Sequence, residues 1–373
     1  MDEKPSKHKV LIVTLYGEFN FGNRLQNYAL NKVIQEMGFN TDNLVVNGIT
    51  QKTCKRTVKI LIEQLFVIAG IKKYRGRLAQ DRRIVKFQEF REKYSGNILY
   101  CPIAELKKNN WSDYDAVVSG SDQVWHNWKS FENELSYYYL SFVESNKRVS
   151  YAPSFGFSRF PENDIEQHRK GIKGIRALSC REQEGVRLIR DLTGCEATKV
   201  LDPTLLLTKE QWCEIEKKPD FVIQGDYIFT FFIGKITDSC RDEINRIKNK
   251  RQLVEININN PDDYRHYAVS PNEFVWLIHH AEIVFTDSFH CTVFSIIFHR
   301  DLCVFKRAGK HTDMFGRLQG LLEMFGLMNL ICEQKSDLTE FSTDIKPESK
   351  ERFETEKETS LRYLEKALKY YEK

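Results

Sequence analysis

A histidine at the end of one strand-like run and an arginine at the end of another are the residues best placed for chemistry on an anion. His290 lies in Phe285-Thr-Asp-Ser-Phe-His-Cys-Thr-Val-Phe294, where a β-branched and aromatic run breaks into a polar turn and restarts at helical apolar spacing. Asp287 or Ser288 suits the N-cap, which puts His290 in the first helical turn. Helix N-termini offer unpaired N–H groups to anions, and ligands of open α/β sheets bind beyond the carboxyl ends of strands. The segment is a candidate phosphate site, with Ser288 as a further donor. Arg181, in Ser179-Cys-Arg-Glu-Gln-Glu-Gly185, stands at another strand exit. Its guanidinium suits bidentate binding of a carboxylate or phosphate, against the plainer reading of an ordinary ion pair. Lys306, Arg307, Lys310 and Arg317 follow in sequence and can add positive charge.

Two further polar clusters offer hydroxyl-binding groups. Asn20, Asn23 and Gln26 surround Gly22 in the loop and helix start after the first strand, and Gly22 would let backbone approach a ligand. Ser121, Asp122 and Trp125 end another strand in Val118-Ser-Gly-Ser-Asp-Gln-Val-Trp125. An indole face can stack on a sugar ring while carboxylate and amide bind its hydroxyls, although Trp125 could equally be core. Asp113-Tyr-Asp115 precedes its strand, at the wrong end of the sheet for a metal-bound sugar nucleotide. The chain lacks H-E-x-x-H, G-x-S-x-G, G-x-G-x-x-G and a complete P-loop, so zinc hydrolase, serine hydrolase and dinucleotide sites gain no support. No metal site is expected.

The elements that position these groups alternate strand and helix. Strands are expected at 10–15, 42–47, 115–119, 149–153, 177–180 and 199–201, all in one parallel sheet, with a helix over 25–37 closing a right-handed β-α-β unit. A second round of alternation, with strands at 227–233, 253–258, 282–286 and 302–306, predicts a second sheet. The division falls at 205/206, with a Rossmann-like half over 1–205 and another over 206–345, which the family resemblance given below would make the acceptor and donor sides. Residues 346–373 read as an amphipathic helix, with Leu361, Leu364, Leu368 and Tyr371 in register, packing back on the first half. A basic segment near 52–95 surrounds an apolar core. It reads first as a helical insertion, with peripheral association at an anionic membrane as the alternative.

Composition limits the classes open to the chain. Its 373 residues, 41% of them hydrophobic, can bury two cores. A net charge of +4 is too mild for a nucleic-acid binder. Nine scattered cysteines and no secretory start point to free thiols in a reducing cytoplasm, at most at the inner face of the membrane.

Six segments in order, Asn20-Phe-Gly-Asn-Arg-Leu-Gln26, Gly120-Ser-Asp-Gln-Val-Trp125, Ser150-Tyr-Ala-Pro-Ser154, Arg181-Glu-Gln-Glu-Gly185, Leu201-Asp-Pro-Thr204 and Thr286-Asp-Ser-Phe-His290, resemble the polysaccharide pyruvyl transferase family. The resemblance implies an α/β fold of two Rossmann-like domains with a central cleft, similar to the B-type glycosyltransferases. It implies transfer of pyruvate from phosphoenolpyruvate to a cell-surface saccharide or its lipid-linked precursor, giving a cyclic ketal and phosphate, with no cofactor beyond that co-substrate. By this analogy His290 and Arg181 are catalytic, and Arg181, Ser288, His290, Lys306 and Arg317 bind the donor. Asn20, Asn23, Gln26, Ser121, Asp122 and Trp125 would bind the acceptor. Cys291 departs from the family, where Gly commonly follows the His. The rival readings are a nucleotide-sugar glycosyltransferase and a carbohydrate-binding member without turnover.

Overall fold

The computed structural model describes residues 8–17, 19–46, 53–71, 74–307, 315–332 and 341–369, without the side chains of 53–57. Lys310 and Tyr371 lie outside these residues. The first half runs β1 (Lys9–Val13), α1 (Phe21–Glu36), β2 (Asn40–Val46), α2 (Thr53–Ile68), α3 (Arg75–Tyr94), β3 (Asn97–Cys101), β4 (Ala116–Ser119), α4 (Glu134–Tyr138) and β5 (Arg148–Ser150). It continues through α5 (Ile165–Lys173), β6 (Ser179–Cys180), α6 (Gln183–Thr193), β7 (Thr198–Lys199) and α7 (Lys209–Cys213). The second half runs β8 (Tyr227–Phe231), α8 (Asp238–Arg251), β9 (Val254–Asn257), α9 (Tyr264–Tyr267), α10 (Pro271–His279), β10 (Ile283–Thr286), α11 (Phe289–Ile297), β11 (Asp301–Phe305), α12 (Phe315–Phe325) and β12 (Ile331–Cys332). A long helix, α13 (Pro347–Leu368), follows.

Each half is built on a parallel five-stranded sheet, ordered β3-β2-β1-β4-β5 in the first and β12-β11-β10-β8-β9 in the second. β1 pairs with β2 and β4, Val10 standing opposite Thr41 and Ala116. β10 likewise pairs with β8 and β11, Phe285 opposite Thr230 and Cys303. The central strands read as unbroken apolar runs because helices cover both faces: Val10 to Val13 are fully buried. The architecture is therefore α/β with two Rossmann-like halves.

Three expectations need correction. β3 and β12 join the sheet edges although the sequence reading had no strand there. The segments at 177–180 and 199–201 do not extend the first sheet: β6 and β7 make a separate two-stranded ladder, attached through a single Val149–Ala177 bridge. Serine side chains replace the ladder at that step. Ser179 N donates to Ser150 Oγ at 2.9 Å, and Ser179 Oγ donates to Ser150 O at 2.7 Å.

The third concerns the basic segment, which is more than an insertion in one half. Phe87 and Phe90 of α3 belong to one apolar cluster that runs from Val10 and Ile12 to Phe229, Val284 and Val304. Lys86 donates to Glu273 of α10 at 2.8 Å. Arg83 is buried over Phe21 and Tyr267, its guanidinium carbon 4.5 and 4.4 Å from the ring centres. α3 thus joins the halves. α13 crosses back to the first half, where Tyr363 Oη donates to Ser150 O at 2.9 Å and Lys199 pairs with Glu356 at 2.9 Å. Among the described residues no helix is long and apolar enough to cross a membrane, and all eight described cysteines are free thiols.

Candidate active site

Four strand exits and the starts of α1, α6 and α11 converge on one buried charged cluster. Arg181 follows β6 directly, and α6 begins two residues later. A Cβ at Gly185 would lie 2.2 Å from Cys180 Sγ, so only glycine lets this helix start so close to its strand. The Arg181 guanidinium is held on two sides. Nε donates to Glu182 at 2.8 Å, and Nη1 donates to Asp202 at 2.8 Å and to Asp122 at 3.5 Å. The Phe289 ring covers one face, 4.6 Å from the guanidinium carbon. Nη2 is buried without a partner.

Asp202 is the hub. It follows β7 and caps the short 3-10 turn Pro203–Leu205, its Oδ1 accepting from Thr204 N at 3.0 Å and Thr204 Oγ1 at 2.7 Å. Its Oδ2 accepts from Arg181 and from Ser121 Oγ at 3.3 Å, and stands 3.6 Å from His290 Nε2. Burial would raise this carboxyl, but His290 and Arg181 outweigh it and hold Asp202 well below the usual carboxylate range. For Arg181 the burial penalty is likewise outweighed, by Glu182, Asp202 and Asp122, so its guanidinium stays charged.

His290 is the second residue of α11, whose N-cap is Ser288. Nδ1 lies over α1: a Cβ on Gly22 would come within 2.1 Å of it. Nε2 is buried and lacks a hydrogen-bond partner. Asn23, one residue beyond Gly22, donates through Nδ2 to the Asp122 carboxylate. Asp122 holds a positive φ of 70°, which turns its carboxylate from β4 toward Arg181.

Beside this cluster opens a cavity of about 640 Å³, lined by Arg181, Asp202, Phe289 and Arg317 among others. Arg317, on α12, has a buried Nε without a partner. Burial, then the neighbouring Arg181, lower its pKa to about 10, so it remains a cation at neutral pH. Arg181 Nη2 and Arg317 Nε are thus two buried donors open at one cavity, a pair suited to an anion, while His290 Nε2 faces Asp202, which lines it.

The polysaccharide pyruvyl transferase family model matches residues 20–305. The chain belongs to this family. No curated protein matches it. Solved structures that resemble it include a protein assigned only provisionally as the UDP-N-acetylglucosamine 2-epimerase of Listeria monocytogenes, at 7% identity and TM-score 0.48 over 87% of this chain and 89% of that one. The UDP-GlcNAc 2-epimerase of Neisseria meningitidis bound to UDP-GlcNAc aligns at 9% identity and TM-score 0.45, over 97% and 98%. The E. coli ADP-heptose LPS heptosyltransferase II aligns at 10% and 0.35, over 98% and 100%.

In this polysaccharide pyruvyl transferase family member, Arg181, His290, Asn23 and Asp122 share one cluster around Asp202, Arg317 lines the cavity with Arg181, and several other candidates stand apart. Trp125 is fully buried, stacked on Tyr139 at 5.1 Å with Phe155 at 5.2 Å, so its indole is core and has no face for a sugar. Gln26 is fully buried and structural, donating to Thr14 Oγ1 at 2.8 Å and accepting from Ser121 N at 3.1 Å. Ser121 Oγ is taken up by Ala152 O at 3.0 Å and by Asp202. Asn20 is exposed and caps α1, its Oδ1 accepting from Asn23 N at 3.1 Å. Ser288 Oγ likewise serves its own helix, accepting from Cys291 N at 3.5 Å. Lys306 is exposed at the end of β11, over the Phe315 ring, and does not line the cavity. Asp287 is drawn the other way, accepting from Ile233 N at 2.6 Å, Gly234 N at 2.7 Å and Arg307 Nε at 3.2 Å. Gly22 makes room for the His290 ring instead of a ligand.

Two residues that sequence reasoning left without a role stand at the centre. Asp202 was visible only as part of Leu201-Asp-Pro-Thr204, and Phe289 only as the neighbour of His290. The signal for Asp202 was its place just after a strand and before a proline turn, the position shared by the other site residues. Among the described residues, one group has metal-ligand side chains together: Cys213, Glu216 and His279, with candidate ligand atoms within 4.8 Å of one another. His279 Nδ1 already bonds Glu216 at 2.8 Å, and none of the three lines the cavity.

Proposed function

We propose that the protein transfers pyruvate from phosphoenolpyruvate to a saccharide, closing a cyclic ketal over two of its hydroxyls and releasing phosphate. The observation that carries this reading is the pair of unpartnered buried guanidinium donors, Arg181 Nη2 and Arg317 Nε, lining a cavity large enough for a small donor and a sugar, with His290 facing Asp202 of its wall. A donor with both carboxylate and phosphate presents two anionic groups to two guanidinium groups.

In the proposed reaction the enol methylene carbon takes up a proton and becomes a methyl group, leaving a cationic centre at the carbon that bears phosphate. One sugar hydroxyl bonds to that carbon, the C–O bond to phosphate breaks, and the second hydroxyl closes the ring. Of the two hydroxyl protons, one balances the new methyl group and the other leaves with phosphate. The His290 imidazole, which faces the Asp202 carboxylate at 3.6 Å, supplies the proton. Arg181 and Arg317 hold the anionic groups, and Arg317 takes up charge on the departing phosphate. Asn23 and Asp122 orient the hydroxyls. The reaction calls for no cofactor besides the donor itself.

Phosphate release from phosphoenolpyruvate, measured with galactose-, glucose- and mannose-containing acceptors, tests the reading. Release should depend on acceptor and fall by about a hundred- to ten-thousand-fold in His290→Ala. Release of a nucleotide from a nucleotide sugar instead would make the protein a glycosyltransferase. Saccharide binding without turnover would make it a binding member of the fold.

A further inference from the structure

α2 carries its amphipathic pattern inside out. The side turned to α3 holds Glu63, only 4% exposed, with Lys59 spanning Glu63 at 3.7 Å and Asp81 at 2.6 Å. The outward side carries Val58, Leu61, Ile62, Leu65, Phe66 and Ile68, between 38% and 74% exposed. Spaced three and four apart, they form a single stripe along the helix. A contiguous apolar stripe rimmed by polar groups marks a surface meant to be covered.

Charge decides what covers it. Residues 53–95 hold twelve Lys and Arg against four Asp and Glu, in a chain whose net charge is only +4, so the remainder of the molecule is net negative. Arg75 and Arg77 are exposed at the start of α3. The Phe66 and Tyr74 rings stack at 4.6 Å, which folds that start back beside the stripe. A second copy would bring two such positive hairpins together and is disfavoured by repulsion. An anionic lipid surface satisfies the apolar stripe and the cations at once. The hairpin also leaves the sheet at the carboxyl end of β2, the same edge at which β1 and β4 lead to Asn23 and Asp122.

We propose that the α2–α3 hairpin docks the protein on anionic lipid, with α2 lying in the interface and its stripe among the acyl chains. A corollary rests on the proposed function: the acceptor saccharide is carried on a lipid of that surface, within reach of the docked site. The docking itself is independent of that reading.

Vesicle flotation of the full chain without substrates tests it, using phosphatidylglycerol–phosphatidylcholine vesicles beside pure phosphatidylcholine. Binding is expected only with the anionic lipid and should weaken at high salt. Arg75→Glu with Arg77→Glu should weaken it by about thirtyfold or more. The triple variant Leu61→Ser, Leu65→Ser, Ile68→Ser should lose it by about a hundredfold or more, with thermal stability and phosphate release to a soluble acceptor unchanged. Equal binding to neutral vesicles, or no binding to either, overturns the proposal. A dimer that dissociates in the triple variant, without lipid binding by the parent, overturns it in favour of self-association. Because flotation needs no turnover, its failure is distinguishable from failure of the pyruvyl transfer reading.

Discussion

Asp202 shows how one buried carboxylate sets the charge state of a site. It accepts from Arg181 and faces His290, and its depressed pKa keeps it ionised through the neutral range. For Arg317 burial and the neighbouring Arg181 outweigh the pull of Glu182 and Asp122, and its pKa falls to about 10. That difference gives a pH prediction. Donor affinity that needs the Arg317 cation should hold through neutral pH and weaken as pH rises past about 10, approaching tenfold per pH unit, where an ordinary arginine would stay charged. Titration of phosphoenolpyruvate between pH 8 and 11 checks this. Arg317→Gln should bind weakly throughout and lose that alkaline limb. A limb that survives in the variant would assign it to another group. At this scale the sequence revealed side-chain chemistry but not its use. Gln26, Ser121 and Ser288 stood at strand exits with the right donors, yet their polar groups close turns and caps, because a buried loop must first satisfy its own backbone.

The elements make the site by how closely they approach one another. α1 enters the site at Gly22, where the His290 ring occupies the space a side chain would need. Gly22→Ala ought to favour the helix by about 1 kcal/mol on intrinsic grounds. The 2.1 Å clash reverses that: either α11 shifts or His290 turns away from Asp202. Turnover should therefore fall by at least about tenfold while helix content is kept, and circular dichroism with phosphate-release kinetics would read both. α5 offers a second test, away from the site. His168 is fully buried among Phe155, Phe157 and Phe160, with Tyr139 Oη 2.7 Å from Nδ1. Burial lowers its pKa to about 4, with Asp164 opposing and His126 adding slightly. The unfolded chain, with an ordinary value of about 6.5, therefore binds a proton that the folded protein refuses. This part of the stability is intact above pH 6.5 and is lost as pH falls to about 4, by up to roughly 3 kcal/mol. His168→Leu should flatten the denaturant midpoint over that window. Strand and helix alternation was legible because β1, β10 and α11 are long apolar runs. β6 and β7, two residues each, carry no such period, and their serine-mediated attachment is invisible in a pattern of apolar spacing.

One apolar cluster joins the two sheets, while each half keeps a separate cluster of its own. The renewed strand–helix alternation was readable, since β7 ends at Lys199 and the second sheet begins with β8 at Tyr227. The strength of the junction was not, because it depends on residues far apart in sequence that only the fold brings together. Phe21 is the clearest case. It opens α1 in the first half, stacks on Phe274 of the second at 4.4 Å, meets Phe231 edge-on at 5.5 Å and lies 5.0 Å from Phe87. Arg83 covers it, and Gly22 beside it backs the His290 ring. If the halves were independent folding units, a cavity at Phe21 would lower one of two thermal transitions. A shared core requires one transition that moves as a whole. Phe21→Ala removes a buried aromatic at a cost of about 3–5 kcal/mol, which for a chain of this length is a shift of roughly 5 °C. Scanning calorimetry should show one transition in parent and variant, lower in the variant and not split. Two resolved transitions, with only one displaced, would show that the halves unfold separately and that α3 and Phe21 tether them without making them one cooperative unit.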